Sequence, residues 1–317
     1  MRRLVVLLLL PACVTASGEA TSISAAGAPT CTIFPRNSFW HADVRSLPVH
    51  PRSADWIRSM GGPNARLHPD FGPSEGGRPY GIPYEVVGAS DEKVGIEFLY
   101  EEESDPGPYP FGPDTPIEQG GDRHALMLHR NECFLYELFD ADWNDGDPTA
   151  GSGAIFDLRS NRLRPAGWTS ADAAGLSGFA GLVRRDEVEA GVIDHAIRVT
   201  ATPTRSRYVW PARHEASDVT DRRVPPMGAW FRLRRGFDLS GFRRETRVVL
   251  RAMKVHGLVV ADNGSNWFFG GASEEGWSEP VLDELKSVRV RAFQAVDTRP
   301  MLVSRDSGRV RPRYVGG

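Results

Sequence analysis

The sequence predicts a mainly β protein, a jelly-roll-like β-sandwich with one or two short packed helices. Three observations predict it. The 33 glycines and 24 prolines among 317 residues are spread as punctuation rather than gathered into a linker. Between them lie many short runs rich in valine, isoleucine and aromatics, the composition of strands. Helical periodicity emerges only late in the chain.

The chain opens MRRLVVLLLLPA, two arginines and then an unbroken apolar run from Leu4 to Leu10 that stops at Pro11. That reads as a secretory signal over residues 1–12. A membrane-spanning helix needs roughly 20 apolar residues, and no stretch approaches that length. Two ways of leaving the signal stay open. Leu10-Pro11-Ala12-Cys13 resembles the lipobox of bacterial lipoproteins, although Pro11 departs from the usual residue there; Cys13 is then lipidated and the protein touches a membrane only through that anchor. The alternative is cleavage at a small residue further on, as late as Ala28. Residues 13–30 read as a flexible stalk and 31–317 as one β-rich domain, secreted or held at the cell surface.

With Cys13 assigned to the signal or a lipid, Cys31 and Cys133 remain, and in an oxidising compartment they pair. The bridge would close a loop of about 100 residues and stabilise by roughly 4–5 kcal/mol. Loss of Arg2 and Arg3 with the signal takes the net charge from −3 to −5, which excludes a general attraction for nucleic acid. The basic residues are nearly all arginine; Lys93, Lys254 and Lys286 are the lysines.

Strands are expected at 82–87, 94–100, 125–129, 133–139, 154–158, 181–185, 192–200, 207–210, 229–234, 258–261, 266–269 and 290–296. Two hairpins follow, one turning at Arg130-Asn131-Glu132 and one at Asp262-Asn263-Gly264-Ser265, whose Asn-Gly pair tolerates positive φ. A helix precedes Gly257, with Arg247, Arg251 and Lys254 on its polar face and Val248, Val249, Ala252 and Met253 on the other. A second runs from Pro280 to about Ser287 behind Ser278 as N-cap.

No Gly-x-Ser-x-Gly elbow, HExxH, Walker loop or helix-opening GxGxxG is present, so serine-hydrolase, metalloprotease and nucleotide chemistry are not expected. No cofactor is implied, except that DADWNDGD over 140–147 resembles a calcium loop through Asp140, Asp142 and Asn144. Its Gly146 falls one residue late and the twelfth-position glutamate is missing.

Candidate acid/base groups sit at strand ends. Asp122 and His124 flank Arg123 at the mouth of a strand. His195 falls on the apolar face of the 192–200 run, opposite Asp194 and Arg198, and points into a cleft if that face is concave. Arg184 and Arg185 precede Asp186 and Glu187; glycoside hydrolysis needs two carboxyls, and on a strand only one of that pair can face a cleft, with Asp157 or Asp122 as its partner. Trp210, Arg213 and His214 in WPARH offer ring stacking and carboxylate recognition, extended by Trp168, Trp267 and Arg184 as substrate-binding candidates.

LPVHP at 47–51, HPDFG at 68–72, ESDPGPYP at 103–110, GDRH at 121–124, SGAIFDL at 152–158, GWTSADAAGL at 167–176, WPARH at 210–214, PPMG at 225–228 and ADNGSNW at 261–267 resemble a group of secreted or lipoprotein-type bacterial proteins. The resemblance implies a single exported domain and carries no established activity; Arg185 stands where that pattern leads one to expect tyrosine. The functional expectation is an exported carbohydrate-active enzyme cleaving a polysaccharide, by hydrolysis or lyase elimination. The alternative is a non-catalytic surface lipoprotein that binds glycan or another cell-envelope component.

Overall fold

The computed structural model describes residues 31–75 and 78–316; the expected signal, Cys13 and the stalk lie outside them. The chain is mainly β with four α-helices among the described residues. In chain order the strands of its two large sheets are β1 (His68–Asp70), β2 (Tyr84–Val87), β3 (Ala125–His129), β4 (Phe134–Phe139), β5 (Ser152–Asp157), β6 (Ile197–Ala201), β7 (Trp230–Leu233), β8 (Leu258–Asn263), β9 (Phe268–Gly270) and β10 (Phe293–Val296). The helices are α1 (Ser53–Ser59), α2 (Arg185–Ala190), α3 (Arg244–Val255) and α4 (Glu279–Ser287).

One sheet runs β2-β3-β4-β5, parallel between β2 and β3 and antiparallel beyond. The expected first hairpin forms, with Ala125 opposite Leu138 and His129 opposite Phe134. Its turn lacks glycine, and Cys133 takes the positive φ of 55° that closes it. Cys133 is disulfide-bonded to Cys31, with Cα atoms 5.4 Å apart, so the start of the described chain is tied to this turn. Every residue of β3 is buried because apolar groups cover both faces. Leu126 and Leu128 join Leu135, Ala154 and Phe156 in the main core. Ala125 and Met127 join Tyr136, Leu138, Tyr109 and Phe111 in a second, smaller one.

The other sheet runs β1-β9-β6-β8-β7-β10. Its β1/β9 and β6/β8 pairs are parallel, which departs from the antiparallel pairing of a jelly roll. The Asn-Gly hairpin does not form. The chain does reverse after Asn263, but β6 lies between the two arms, parallel to β8 and antiparallel to β9. The link passes over the end of β6, where Thr200 Oγ1 donates to the Ser265 carbonyl at 2.5 Å. A Cβ on Gly264 would meet Thr200 at 3.0 Å. A turn residue specifies a reversal of direction, not which strand fills the gap.

Helix α3 begins at Arg244 and buries Val248, Val249, Leu250, Ala252 and Met253 against the core. Gly257 follows it at φ 80°, and a Cβ there would lie 2.5 Å from the Phe231 carbonyl, so the position requires glycine. In α4 Pro280 occupies the first turn, but the Ser278 hydroxyl makes no capping bond. The expected strand over 181–185 is replaced by a turn at Phe179–Gly181 and by α2. Asp186 and Glu187 occupy the helix's first turn, Arg185 pairs with Glu189 one turn on, and Gly191 caps the end at φ 88°. Likewise the expected strand over 192–200 begins only at Ile197.

Candidate functional site

A cavity of about 360 Å³ is lined from both large sheets, with Asp122, Phe139, Ser152, His214 and Asp262 among its walls. Three of the expected residues meet here: Asp122 and His214 line the cavity, and the His124 ring bonds to its wall at Ala171. The groups that organise it were not singled out from sequence.

Arg198 on β6 is the anchor. Its guanidinium holds the Asp172 carboxylate through two nitrogens, Nε at 2.8 Å and Nη2 on the second oxygen, with both side chains almost wholly buried. Space for it exists because Gly181 and Gly270 carry no side chain; a Cβ on Gly181 would approach the Arg198 Cβ at 2.8 Å. Asp172 sits in a loop knotted by its own neighbours, Ser170 Oγ donating to the Asp172 carbonyl at 2.7 Å. Arg198 does not pair with Asp194, which strand alternation puts on the same face. Asp194 precedes the strand and holds Arg36 at 2.5 Å instead.

Asp262 reaches the cavity through a β-bulge. The β6/β8 register slips between Val199 and Thr200, so Val199 faces Val260 while Thr200 faces Asp262. Such a bulge re-aims a side chain. The Asp262 carboxyl is 16% exposed and 3.8 Å from Arg198. Burial, then the neighbouring Asp172 carboxylate, push its pKa up to about 8, against the pull of Arg198 and His124. Near neutrality it is an undissociated acid.

His124 Nδ1 lies 2.5 Å from Glu118 Oε2, and Nε2 lies 3.0 Å from the Ala171 carbonyl. A carboxylate and a carbonyl only accept, so both ring nitrogens donate and the ring is an imidazolium. Burial alone would lower its pKa, but Glu118 raises it to about 9. Atoms of His124, Asp172 and Asp262 lie within 4.8 Å of one another, the spacing of a metal ligand set. The residues do not fit that role, since both imidazole nitrogens face acceptors and Asp172 is filled by Arg198. Behind them Glu137 is wholly buried on β4, accepting from Ser177 Oγ and from the Gly178 and Phe179 N–H groups at 2.7–3.0 Å. Burial pushes its carboxyl up to about 7.

On another wall His214 Nδ1 donates to the Ala173 carbonyl at 2.7 Å, and its Nε2 lies 3.5 Å from Glu103. The remaining expected residues lie elsewhere. His195 is buried with Nδ1 toward the Ala196 carbonyl at 2.8 Å and Nε2 toward Glu187 at 3.1 Å, so it does not point into the cleft. Arg184 pairs with the same Glu187 and is equally buried. Asp186 projects from α2 into solvent. Arg213 spends its guanidinium on the Arg164 and Arg305 carbonyls and on Asp306.

The expected aromatic rim is not at this cavity. Trp267 is fully buried, donates to the Met60 carbonyl and packs on Phe231 and Phe293. Trp210 donates to the Ser307 carbonyl and stands edge-on to Phe39, while Trp168 lies under the Arg164 guanidinium. A buried indole N–H usually finds a hydrogen-bond partner, and here backbone carbonyls supply it for Trp267 and Trp210. The rings at the cavity are Tyr100 and Phe139. In DADWNDGD the cation beside Asp142 is Arg123, 3.2 Å away, and Asn144 donates its backbone N–H to Asp142, which leaves an ion-paired turn in place of an oxygen shell for calcium.

Comparison with protein-family models, with curated proteins and with solved structures gives no match.

Proposed function

We propose that this is an exported enzyme that cleaves polysaccharide by acid–base hydrolysis in the cavity between the two sheets, which we read as the layers of a sandwich. The observation that carries the reading is Asp262, an undissociated carboxyl near neutral pH that faces an open cavity containing further ionisable groups. An acid of that kind can donate its proton to a departing glycosidic oxygen. Asp122, or Glu103 beside His214, supplies the complementary base, and Tyr100 and Phe139 supply rings against which a sugar can stack.

Hydrolysis is favoured over elimination by charge. A lyase must neutralise the carboxylate of a uronic acid, whereas the acidic Glu103 and Asp122 line this cavity beside Asp262, and among the described residues of its walls His214 is the basic side chain. An acidic wall disfavours an anionic sugar, which supports a substrate segment without carboxylates. The disulfide suits an oxidising compartment, which supports export.

The test is incubation with a panel of neutral and uronic-acid polysaccharides, following reducing ends and the ultraviolet absorbance of unsaturated products. Reducing ends from a neutral polymer, lost in Asp262→Asn, are expected. Unsaturated products would replace hydrolysis with elimination, and glycan retention without turnover would favour the binding protein. Full activity in Asp262→Asn would remove that residue as proton donor.

A further inference from the structure

A second cavity, of about 430 Å³, is lined by His50, Arg52, Trp56, Trp230, Asp297 and Arg299. His50 stacks on Trp56 with ring centroids 4.1 Å apart, which gives the cavity a flat wall. Trp56 also donates its indole N–H to the Arg222 carbonyl at 3.3 Å and so draws the 221–223 loop onto α1. Beside it runs a short strand, Arg205–Tyr208, whose Arg205 N–H is held by Pro225 at 2.9 Å. Arg52, Arg205, Arg207 and Arg222 thereby gather at one place in a chain of net charge −3.

The nearby carboxylates are engaged mainly by other arginines. Asp221 is gripped by Arg223 and Asp297 by Arg299, each through two guanidinium nitrogens. Asp55 serves Arg58 at 3.0 Å and reaches Arg52 only at 3.9 Å. Arg205, Arg207 and Arg222 form no ion pair among the described residues, and the Arg205 Nε is buried without a hydrogen-bond partner. Burial, and then Arg207, Arg222 and Arg52, lower the pKa of Arg205 against the pull of Asp221. Crowded like charges are unfavourable unless an anion joins them.

We propose that these arginines bind the phosphate group of a phosphorylated sugar whose ring enters the adjoining cavity. Guanidinium forks match phosphate oxygens in pairs. A phosphate monoester carries a charge of roughly −1.5 to −2, closer to what several arginines require than the single charge of a carboxylate. The site shares no wall residue with the acidic cavity that holds Asp262.

Calorimetric titration of the full-length protein with glucose 6-phosphate, inorganic phosphate and glucuronate tests this. Salt-sensitive binding of the sugar phosphate, tighter than that of inorganic phosphate, is expected. Arg205→Gln with Arg207→Gln should weaken it roughly tenfold or more, the scale of one lost charged hydrogen bond. Arg222→Gln, a change at an exposed position, should weaken it without altering the melting temperature. Asp262→Asn should bind as the wild type does, so failure of the hydrolase reading leaves this result intact. Equal binding by the arginine variants, no binding of either phosphate, or preference for glucuronate would each overturn the proposal. Capture by anionic phospholipid vesicles without binding of the sugar phosphate would replace it with a membrane headgroup.

Discussion

Replacing Arg198 with methionine removes the guanidinium that, among the described residues, compensates Asp172. Both side chains are almost fully buried, and Asp172 takes two hydrogen bonds from Arg198. Breaking a buried pair by removing one partner costs about 3–5 kcal/mol, because the other charge is left uncompensated. The His124 imidazolium lies in the same cluster, which sets the expectation at the lower end, about 3 kcal/mol. Urea unfolding followed by tryptophan fluorescence at neutral pH measures it, with the denaturant slope unchanged if the variant stays two-state. The decisive comparison is the double variant Arg198→Met with Asp172→Asn. With both charges gone most of the lost stability returns, since apolar or neutral replacement of a buried pair is often neutral. A single-variant loss under about 1 kcal/mol would show that the charge is not buried as described. A double variant as unstable as the single one would show that packing, not charge, sets the cost.

Stability should fall as pH rises from neutral to alkaline. His124 is raised to about 9 and Asp262 to about 8, so up to those values the native state holds more protons than the unfolded chain, while Glu137, raised from 4.5 to about 7, adds a like fall on the acid side of neutrality. The His124 contribution is complete below 6.5 and lost as pH passes through 9, and melting temperatures across that window check it. His256, lowered to about 4 by burial, acts oppositely but only below 6.5. Reduction of Cys31–Cys133, which spans 102 residues, should cost about 4–5 kcal/mol, read as a drop in melting temperature with reductant. Gly228→Ala should destabilise by ~1–3 kcal/mol from its φ of 80° alone, and by more because a Cβ would lie 2.1 Å from the Val209 carbonyl; urea midpoints measure it. Asp172→Asn removes a carboxylate that raises Asp262, so the alkaline limb of the activity profile should shift to lower pH.

Much of this molecule is local in origin. The run ALMLH at 125–129, the helix before Gly257 and the helix behind Pro280 can be read from residues that meet within a few positions, because hydrophobic period and cap chemistry act over one turn or one pleat. Cysteine arithmetic likewise reached Cys31–Cys133 without geometry. Asp122, His124 and His214 were legible as polar residues at strand ends, and they do gather. Tertiary structure alone decided that β6 separates the arms of the Asn-Gly turn, since pairing is chosen by what fills the space between strands. It also decided the site's chemistry. Arg198 reads as an outward residue of an alternating strand until a loop 26 residues away brings Asp172 to it. Asp262 reads as a turn residue until a bulge and a neighbouring carboxylate make it an acid. Charge interactions depend on distance and burial, and neither quantity is written along the chain.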